Sequence, residues 1–118
     1  MRRGEDIAER LLELGVRVLN VARALPKDPA GRHIAGQILR CGTSAGSNYE
    51  EARGGESRAD FVHKLGISWK ETRETWFWLR LISRAKLVKP GRLDGLIGEA
   101  DELVAILAKS LKTARSGS

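Results

Sequence analysis

A segment of small residues, Gly42-Thr43-Ser44-Ala45-Gly46, has the spacing of a catalytic motif. It fits G-x-S-x-G, the sharp turn on which serine hydrolases expose a nucleophilic serine above a β-sheet. Ser44 would need a preceding strand, a general base and an oxyanion hole to act in this way. Of the two histidines, His33 precedes Ser44 by about three helical turns and His63 belongs to another segment. We therefore expect no catalytic residue and no enzymatic activity.

No other group of residues indicates a cofactor or a metal. The glycine-rich segment lacks the G-K-[ST] that completes a phosphate-binding loop. The single cysteine, Cys41, cannot form an intramolecular disulfide and fits a reducing cytoplasm. Cys41 and the two histidines lack the close spacing of zinc ligands, and the chain has no E-x-x-H motif of the ferritin-like kind. We expect a cytoplasmic protein without a cofactor.

Polar residues accompany Ser44 along the chain. Asn48 lies one helical turn after Ser44 and one turn before Glu51, so the three share a helix face. They can form a recognition site, or they can form a buried hydrogen-bonded network that fixes how the helices pack. We favour the structural interpretation and expect that substituting Ser44 or Glu51 reduces stability or assembly.

The net charge of +6 is concentrated in one part of the chain. Residues 57–92 hold nine Lys and Arg against three Asp and Glu, whereas residues 1–56 hold nine against eight. A local basic patch can be the footprint of nucleic acid, or a solvated helix face that keeps the protein soluble. Charge alone favours the solvated face. If the patch binds nucleic acid, the expected phosphate contacts are Arg58, Lys64, Arg73, Arg80, Arg84, Lys86 and Lys89.

Apolar residues recur at spacings of three and four along four segments, which predicts four helices and no strand. The helices are predicted over about residues 5–25, 29–53, 57–87 and 90–112, followed by a flexible tail at 113–118. Asp28 and Pro29 have the types of a helix N-cap and first turn, and Ser57 begins a capping box. Such helices with short turns indicate a single domain, an antiparallel up-down-up-down four-helix bundle.

The second helix contains Gly36, Gly42 and Gly46. Each glycine costs about 1 kcal/mol against alanine inside a helix. Close approach of a neighbouring helix is the simplest compensation, because glycine leaves room for it.

Tryptophans in the third helix indicate a second contact surface. Trp76 and Trp78 are separated by about 160° of helix rotation, so a single core cannot bury both. One of them can lie at the surface with its polar edge in water. We favour an oligomer interface instead, for which the candidates are Trp69, Trp76 and Trp78.

The stretch LRCGTSAGSNYEEARGGESRADF resembles R-x-x-x-S-x-x-x-N-x-x-E followed by a glycine-rich turn and S-x-x-[DE]-F. This pattern marks the four-helix-bundle proteins encoded in intervening sequences of bacterial large-subunit ribosomal RNA genes. The matching positions are Arg40, Ser44, Asn48, Glu51, Ser57, Asp60 and Phe61. The following HKLGISWKETRETWFWLRLI is similar to the third helix of that family. Gly46 and Ala52 depart from the pattern but keep small residues.

The resemblance implies a homopentameric ring of antiparallel bundles. The accessory proteins of diversity-generating retroelements are similar, and those are basic pentamers that bind nucleic acid and a reverse transcriptase. We therefore expect a non-enzymatic, homo-oligomeric accessory protein for RNA or RNA/DNA, with a reverse transcriptase as a candidate partner. The alternative is a scaffold that docks an acidic protein and binds no nucleic acid. No membrane association is expected, because no apolar run approaches the roughly 20 residues that span a bilayer.

Overall fold

Four α-helices make up the computed structural model, which describes residues 4–117. They are α1 (Glu5–Ala24), α2 (Pro29–Arg53), α3 (Arg58–Arg84) and α4 (Asp94–Arg115). The described residues contain no β-strand, so the prediction of an all-α chain with four helices is confirmed. None of these helices is long and apolar enough to cross a bilayer.

Helices α2 and α3 begin at side-chain caps. The Asp28 carboxylate accepts a hydrogen bond from the Gly31 amide at 2.8 Å, and Pro29 occupies the first turn of α2. The Ser57 hydroxyl accepts a hydrogen bond from the Asp60 amide at 3.0 Å. Each cap satisfies an amide that the helix itself leaves unpaired. Both starts therefore lie where the cap residues predict them.

Helix α3 ends at Arg84, earlier than the predicted residue 87, because the chain reverses at Lys86. Lys86 has a left-handed φ of 58°. The Leu87 amide donates to the Ile82 carbonyl and the Lys86 amide donates to the Ser83 carbonyl, both at 3.1 Å. This is the hydrogen-bond pattern of a Schellman cap, in which glycine usually takes the left-handed position. A lysine there gives no sequence signal for the end of the helix.

Helix α4 begins at Asp94 rather than near residue 90, and it continues to Arg115, beyond the predicted end at residue 112. Leu111 is buried and Ala114 is half-buried. These apolar contacts stabilise the last turn, since packing supplies most of the stability of a helix in a protein. Residues 113–115 of the predicted tail are therefore helical, while Ser118 lies outside the described residues.

The face of α3 that enters the core carries three buried hydroxyl groups, those of Ser68, Thr72 and Thr75. The Ser68 hydroxyl donates to the Ala45 carbonyl of α2, and the Thr72 hydroxyl donates to the Ser68 carbonyl, both at 2.7 Å. The Thr75 hydroxyl lies 3.3 Å from the sulfur of Cys41. Each buried hydroxyl thus has a partner, as burial requires. Polar contacts therefore help to fix α3 against α2.

Two glycines of α2 lie against α1, as close packing predicts. A Cβ added at Gly42 would lie 2.6 Å from a methyl carbon of Val18. A Cβ added at Gly46 would lie 3.4 Å from the backbone of Leu11. Gly36 is different, because a Cβ there would meet no atom within 4 Å. Close packing therefore accounts for Gly42 and Gly46 and leaves Gly36 without an explanation.

Helix α2 packs against both α1 and α3, while α4 packs against α3 and less extensively against α1. Between α2 and α3, the Glu51 carboxylate binds Lys64 at 3.1 Å. Earlier on α2, Cys41 meets Thr75, which lies later on α3. Residues late in α2 therefore contact residues early in α3, and residues earlier in α2 contact residues later in α3.

Helices α1 and α4 are joined by a small ion-pair network. Arg10 binds Glu99 at 2.8 Å and Glu102 at 2.9 Å. The hydrogen bond from Arg10 lowers the pKa of Glu99 below the usual carboxyl range, against the opposing effect of burial. The charge of Arg10 is thus neutralised by two carboxylates of α4.

Candidate nucleic-acid interface

A row of residues runs along the side of α3 opposite its buried face. Its members follow one another at spacings of three and four residues, and they are Lys70, Arg73, Phe77, Arg80 and Arg84. This spacing places them on one helix face, and we call the five residues the cationic stripe. With a rise of 1.5 Å per residue, the stripe is about 21 Å long. Among residues 4–117, none of its four cations forms an ion pair.

Two arginines of the cationic stripe lie over tryptophan rings. The Arg73 guanidinium carbon is 5.6 Å from the centroid of the Trp69 ring. The Arg80 guanidinium carbon is 4.3 Å from the centroid of the Trp76 ring. Each ring attracts the cation above it and restricts the arginine side chain. Such arginines lose less conformational freedom on binding an anion than unrestrained surface arginines do.

Phe77, at the centre of the cationic stripe, is an exposed aromatic residue. Its exposed fraction is 50%. Its ring makes a T-shaped contact with the Trp78 ring, with the two centroids 5.1 Å apart. Neither Phe77 nor Lys70 was among the site residues predicted from the sequence. The signal that would have found them is the set of cations at i−7, i−4, i+3 and i+7 around Phe77.

Arg40 of α2 binds both carboxylates that lie in this part of α3. Its guanidinium donates to Glu71 at 2.9 Å and also to Glu74. Glu74 accepts a further hydrogen bond from the Trp78 indole at 3.0 Å. Burial alone would raise the pKa of Glu74, but these hydrogen bonds outweigh it and hold the pKa below the usual range. Arg40 of α2 thus neutralises part of the negative charge of the two carboxylates near the cationic stripe.

The remaining predicted phosphate contacts lie outside the cationic stripe. Lys64 faces α2, where it pairs with Glu51. Arg58 donates to a backbone carbonyl in the last turn of α4. Lys86 and Lys89 are exposed in the connection between α3 and α4. The structure therefore brings together only part of the predicted set, namely Arg73, Arg80 and Arg84.

The end of α4 contributes basic residues that the sequence analysis did not single out. An open cleft of about 1010 Å³ between the start of α3 and the end of α4 has His63, Lys70 and Arg115 in its walls. Lys112 lines an adjoining hollow together with Trp69 and Arg115. Lys112 and Arg115 were not predicted as site residues because the α4 segment as a whole is slightly acidic, and its basic residues lie in its last turns. Through Lys70, the cleft is continuous with the cationic stripe.

The family model of the 23S rRNA-intervening sequence proteins matches residues 5–109. The chain belongs to this family. It is also similar to the crystal structure of a protein of unknown function from the S23 ribosomal protein family of Bacteroides thetaiotaomicron, with 34% sequence identity and a TM-score of 0.82. That match covers 90% of this chain and 98% of the other chain. No curated protein is significantly similar.

The family resemblance drawn from the motif around Ser44 is thereby confirmed, whereas the similarity to retroelement accessory proteins stays a prediction. In this intervening-sequence protein, the Asn48 amide donates to the carbonyl and the hydroxyl of Ser44, both at 2.9 Å. Glu51 instead reaches across to Lys64 of α3. Ser44 lies inside α2 and not after a strand. The predicted polar group of Ser44, Asn48 and Glu51 is therefore divided between a contact within α2 and a contact with α3.

The thiol of Cys41 is buried in the core of this intervening-sequence protein. Burial raises its pKa to about 11, although the contact with Thr75 opposes the shift. A neutral thiol is a weak nucleophile and a poor metal ligand at neutral pH. In the described part of the chain, no three His, Cys, Asp or Glu side chains are grouped so as to hold a metal ion.

The three tryptophans are all half-buried, and each has an intramolecular contact. Trp69 and Trp76 lie under arginines of the cationic stripe. Trp78 faces α2, where its ring centroid is 6.1 Å from that of His33. The indole N–H of Trp69 is buried and has no hydrogen-bond partner among the described residues. Their role in an oligomer interface stays a prediction.

A second surface, which the sequence analysis did not identify, exposes apolar side chains of α1 and α2. Leu12 is 61% exposed, Val16 is 46% exposed and Leu39 is 36% exposed. Leu12 and Val16 line a hollow of about 360 Å³ between the two helices, together with Gly15 and Gly46. We call this surface the α1–α2 groove. Exposed apolar surface of this kind is typical of contacts between proteins.

Proposed function

We propose that this intervening-sequence protein is a non-enzymatic, homo-oligomeric accessory protein that binds nucleic acid in the cytoplasm, RNA in particular. The observation that carries the proposal is the cationic stripe. Its four cations have no carboxylate partner in the described chain, and they lie within about 21 Å on one helix face. Closely spaced phosphates supply the complementary charge.

The details of the stripe favour a binding surface over a face that is merely solvated. A solvated face needs only charge, and flexible lysines supply it. Here Arg73 and Arg80 are held against tryptophan rings. Arg40 compensates the two carboxylates nearby. Restricted cations and compensated anions both increase the attraction for a polyanion.

The proposal includes assembly of antiparallel up-down-up-down bundles into a homopentameric ring, as the family resemblance implies. The positions joined between α2 and α3 support the antiparallel arrangement. The exposed α1–α2 groove supports a contact between copies of the chain. A ring would repeat the cationic stripe by symmetry, so that weak contacts with one RNA molecule would add up to useful avidity.

Fluorescence anisotropy with a structured RNA at increasing salt concentrations tests the nucleic-acid proposal. We expect a steep loss of affinity, because counterions are released on binding. The double variant Arg73→Gln/Arg84→Gln should reduce the slope of log affinity against log salt by about 1 for each phosphate contact removed. The control Arg23→Gln/Arg32→Gln removes the same charge from α1 and α2 and should change the slope less. Absence of RNA and DNA binding even at about 50 mM salt would refute the proposal.

Light scattering coupled to size exclusion tests the assembly. Val16→Asp places a charge in the α1–α2 groove, where a contact between copies would bury it at a cost of several kcal/mol. We expect this variant to lower the mass of the particle while the circular dichroism spectrum stays helical. A monomeric wild-type protein would contradict the proposed ring.

The second candidate function is a scaffold that docks an acidic protein partner without binding nucleic acid. The observation that favours it is the α1–α2 groove, because a nucleic-acid ligand has no need of exposed Leu12, Val16 and Leu39. A reverse transcriptase is instead a candidate partner for the first function, on the predicted similarity to retroelement accessory proteins. Binding of polyglutamate without binding of RNA at the same salt concentration would favour this function over the first.

We also propose that Ser44 and Glu51 are structural rather than catalytic. Ser44 accepts the Asn48 amide, and Glu51 joins α2 to α3. We expect Ser44→Ala and Glu51→Ala to lower the urea midpoint of unfolding or the particle mass. Loss of a hydrolytic activity in a variant of unchanged stability would contradict this assignment.

A further inference from the structure

We infer that Phe77 is a stacking platform for an unpaired base, so that the cationic stripe takes single-stranded nucleic acid rather than duplex. The inference rests on the proposed nucleic-acid function and names the class of ligand at the same surface. The predicted phosphate contacts alone would bind any polyanion of suitable shape, whereas Phe77 adds a preference between ligands.

The position of Phe77 within the stripe is the first argument. Arg73 lies one turn before Phe77 and Arg80 lies one turn after it, with Lys70 and Arg84 two turns away on either side. A ring between cations can stack on a base while the cations bind the phosphates before and after that base. Grooves that bind single strands combine these two elements, aromatic platforms and basic residues that follow the backbone.

The exposure of Phe77 is the second argument. Phe77 is more exposed than Trp76 and Trp78, its neighbours in the sequence. Its exposed fraction is 50%. The contact with Trp78 supports the ring from one side, so that the platform is already in place before a ligand arrives. An aromatic ring with few rotatable bonds loses little conformational entropy when a base stacks on it.

The choice between single strand and duplex follows from the chemistry of a base. In a duplex, each base is stacked between its neighbours, so the faces of the bases are not available to an aromatic side chain. In a single strand, the faces of the bases are accessible to aromatic side chains. Phe77 adds affinity only in the second case.

A second copy of the chain is a poor occupant of this surface. If two copies met symmetrically through Phe77, four cations of one stripe would face four cations of the other. Like charges placed against each other oppose association. The two carboxylates that could offset this repulsion, Glu71 and Glu74, are already bound by Arg40.

The experiment compares two probes and three variants of the full chain. The probes are a labelled single-stranded oligouridylate of about 15 nucleotides and a blunt RNA duplex of the same length, measured by anisotropy. The variants are Phe77→Leu, which keeps an apolar side chain without a π face, and Phe77→Trp, which keeps the platform. The control is Ser110→Ala, which alters an exposed neutral position on α4 outside the cationic stripe and the α1–α2 groove.

We expect Phe77→Leu to weaken binding of the single strand by roughly 5- to 150-fold, the factor that corresponds to loss of one stacked base. Its affinity for the duplex should change less than twofold, and the salt dependence should be unchanged because no charge is altered. Phe77→Trp should retain the affinity for the single strand. Ser110→Ala should leave both affinities as they are.

Equal effects of Phe77→Leu on the two probes, or no effect on either, would overturn the inference while leaving the proposed function intact. A change in particle mass of Phe77→Leu by light scattering would assign Phe77 to a protein interface and would overturn the inference too. If the wild-type protein binds neither probe at about 50 mM salt, the proposed function itself fails.

Discussion

Replacing Gly42 with alanine should destabilise the protein, although alanine is the better helix former. A Cβ added at Gly42 would lie 2.6 Å from Val18 Cγ1 and 2.9 Å from Val18 Cβ. Carbon atoms do not approach each other so closely without strain. Val18 is fully buried, and a β-branched side chain in a helix has one strongly preferred rotamer. Either Val18 leaves that rotamer or α1 moves away from α2.

Two opposing contributions determine the size of the effect. The higher helix propensity of alanine stabilises by about 1 kcal/mol. Inserting a methyl group into a filled core costs about 1–3 kcal/mol. Gly36→Ala isolates the first contribution, because a Cβ there has no atom within 4 Å. We expect Gly36→Ala to stabilise by about 1 kcal/mol, and the two variants to differ by about 1–3 kcal/mol in the free energy of unfolding.

Urea unfolding followed by circular dichroism measures these free energies. Several protein concentrations are needed, since unfolding of an oligomer depends on concentration. The double variant Gly42→Ala/Val18→Ala completes the test, because it removes the methyl groups that the new Cβ would contact. The loss in the double variant should be smaller than the two single losses added together.

A Gly42→Ala variant that is stabilised as much as the Gly36→Ala variant would contradict the prediction. That result would mean that α1 and α2 lie further apart at Val18 than the structure has them. Additive losses in the double variant would exclude the contact with Val18 as the cause of any destabilisation.

Three further predictions concern charge and pH. Stability should fall above about pH 9 by up to about 1.4 kcal/mol per pH unit, because the Cys41 thiol has a pKa of about 11 when folded and ionises near 9.0 when unfolded; Cys41→Ala should reduce this slope in urea titrations. At pH 7, Arg10→Ala should cost about 1 kcal/mol of unfolding free energy. That difference should shrink as pH falls below 4.5, because the pKa of Glu99 is lowered in the folded state and protonation then removes its contribution. Arg40→Gln should weaken single-strand binding roughly two- to fourfold at low salt, since two glutamates lose their partner; Arg32→Gln, with the same charge change, should have a smaller effect by anisotropy.

The helices could be predicted because most of their signals are local. Asp28 before a proline and Ser57 before an amphipathic segment mark the starts of α2 and α3. The ends of α3 and α4 could not be predicted in the same way. Lys86 takes a conformation that usually selects glycine, and the last turn of α4 depends on the burial of Leu111. Burial against another helix is a tertiary contact that a single segment does not reveal.

The segment that carries the candidate site could be predicted from the sequence, but the residues that share its exposed surface could not. The excess of basic residues in the segment predicted that α3 carries the site. Lys64 was predicted to act with the arginines, but Glu51 of another helix partly neutralises its charge. The run of three aromatic residues drew attention to the tryptophans rather than to Phe77. Which of the three aromatic residues is exposed depends on which face of α3 enters the core. That face includes Thr72 and Thr75, two buried residues whose polar type does not predict burial.

The family motif on α2 includes Arg40, which binds carboxylates beside the proposed nucleic-acid surface of α3. One side of α2 is made thin by Gly42 and Gly46, so that α1 can approach. Another side carries Arg40, which reaches α3 and binds the two carboxylates that α3 holds near its exposed face. Without Arg40, the negative charge of those carboxylates would reduce the positive potential of the cationic stripe. In the proposed function, Arg40 would therefore favour nucleic-acid binding without touching the ligand. The family motif contains the Gly42–Gly46 segment that has the spacing of a serine hydrolase, and it thus fits a role in packing α2 and, through Arg40, in shaping the charge of the neighbouring helix.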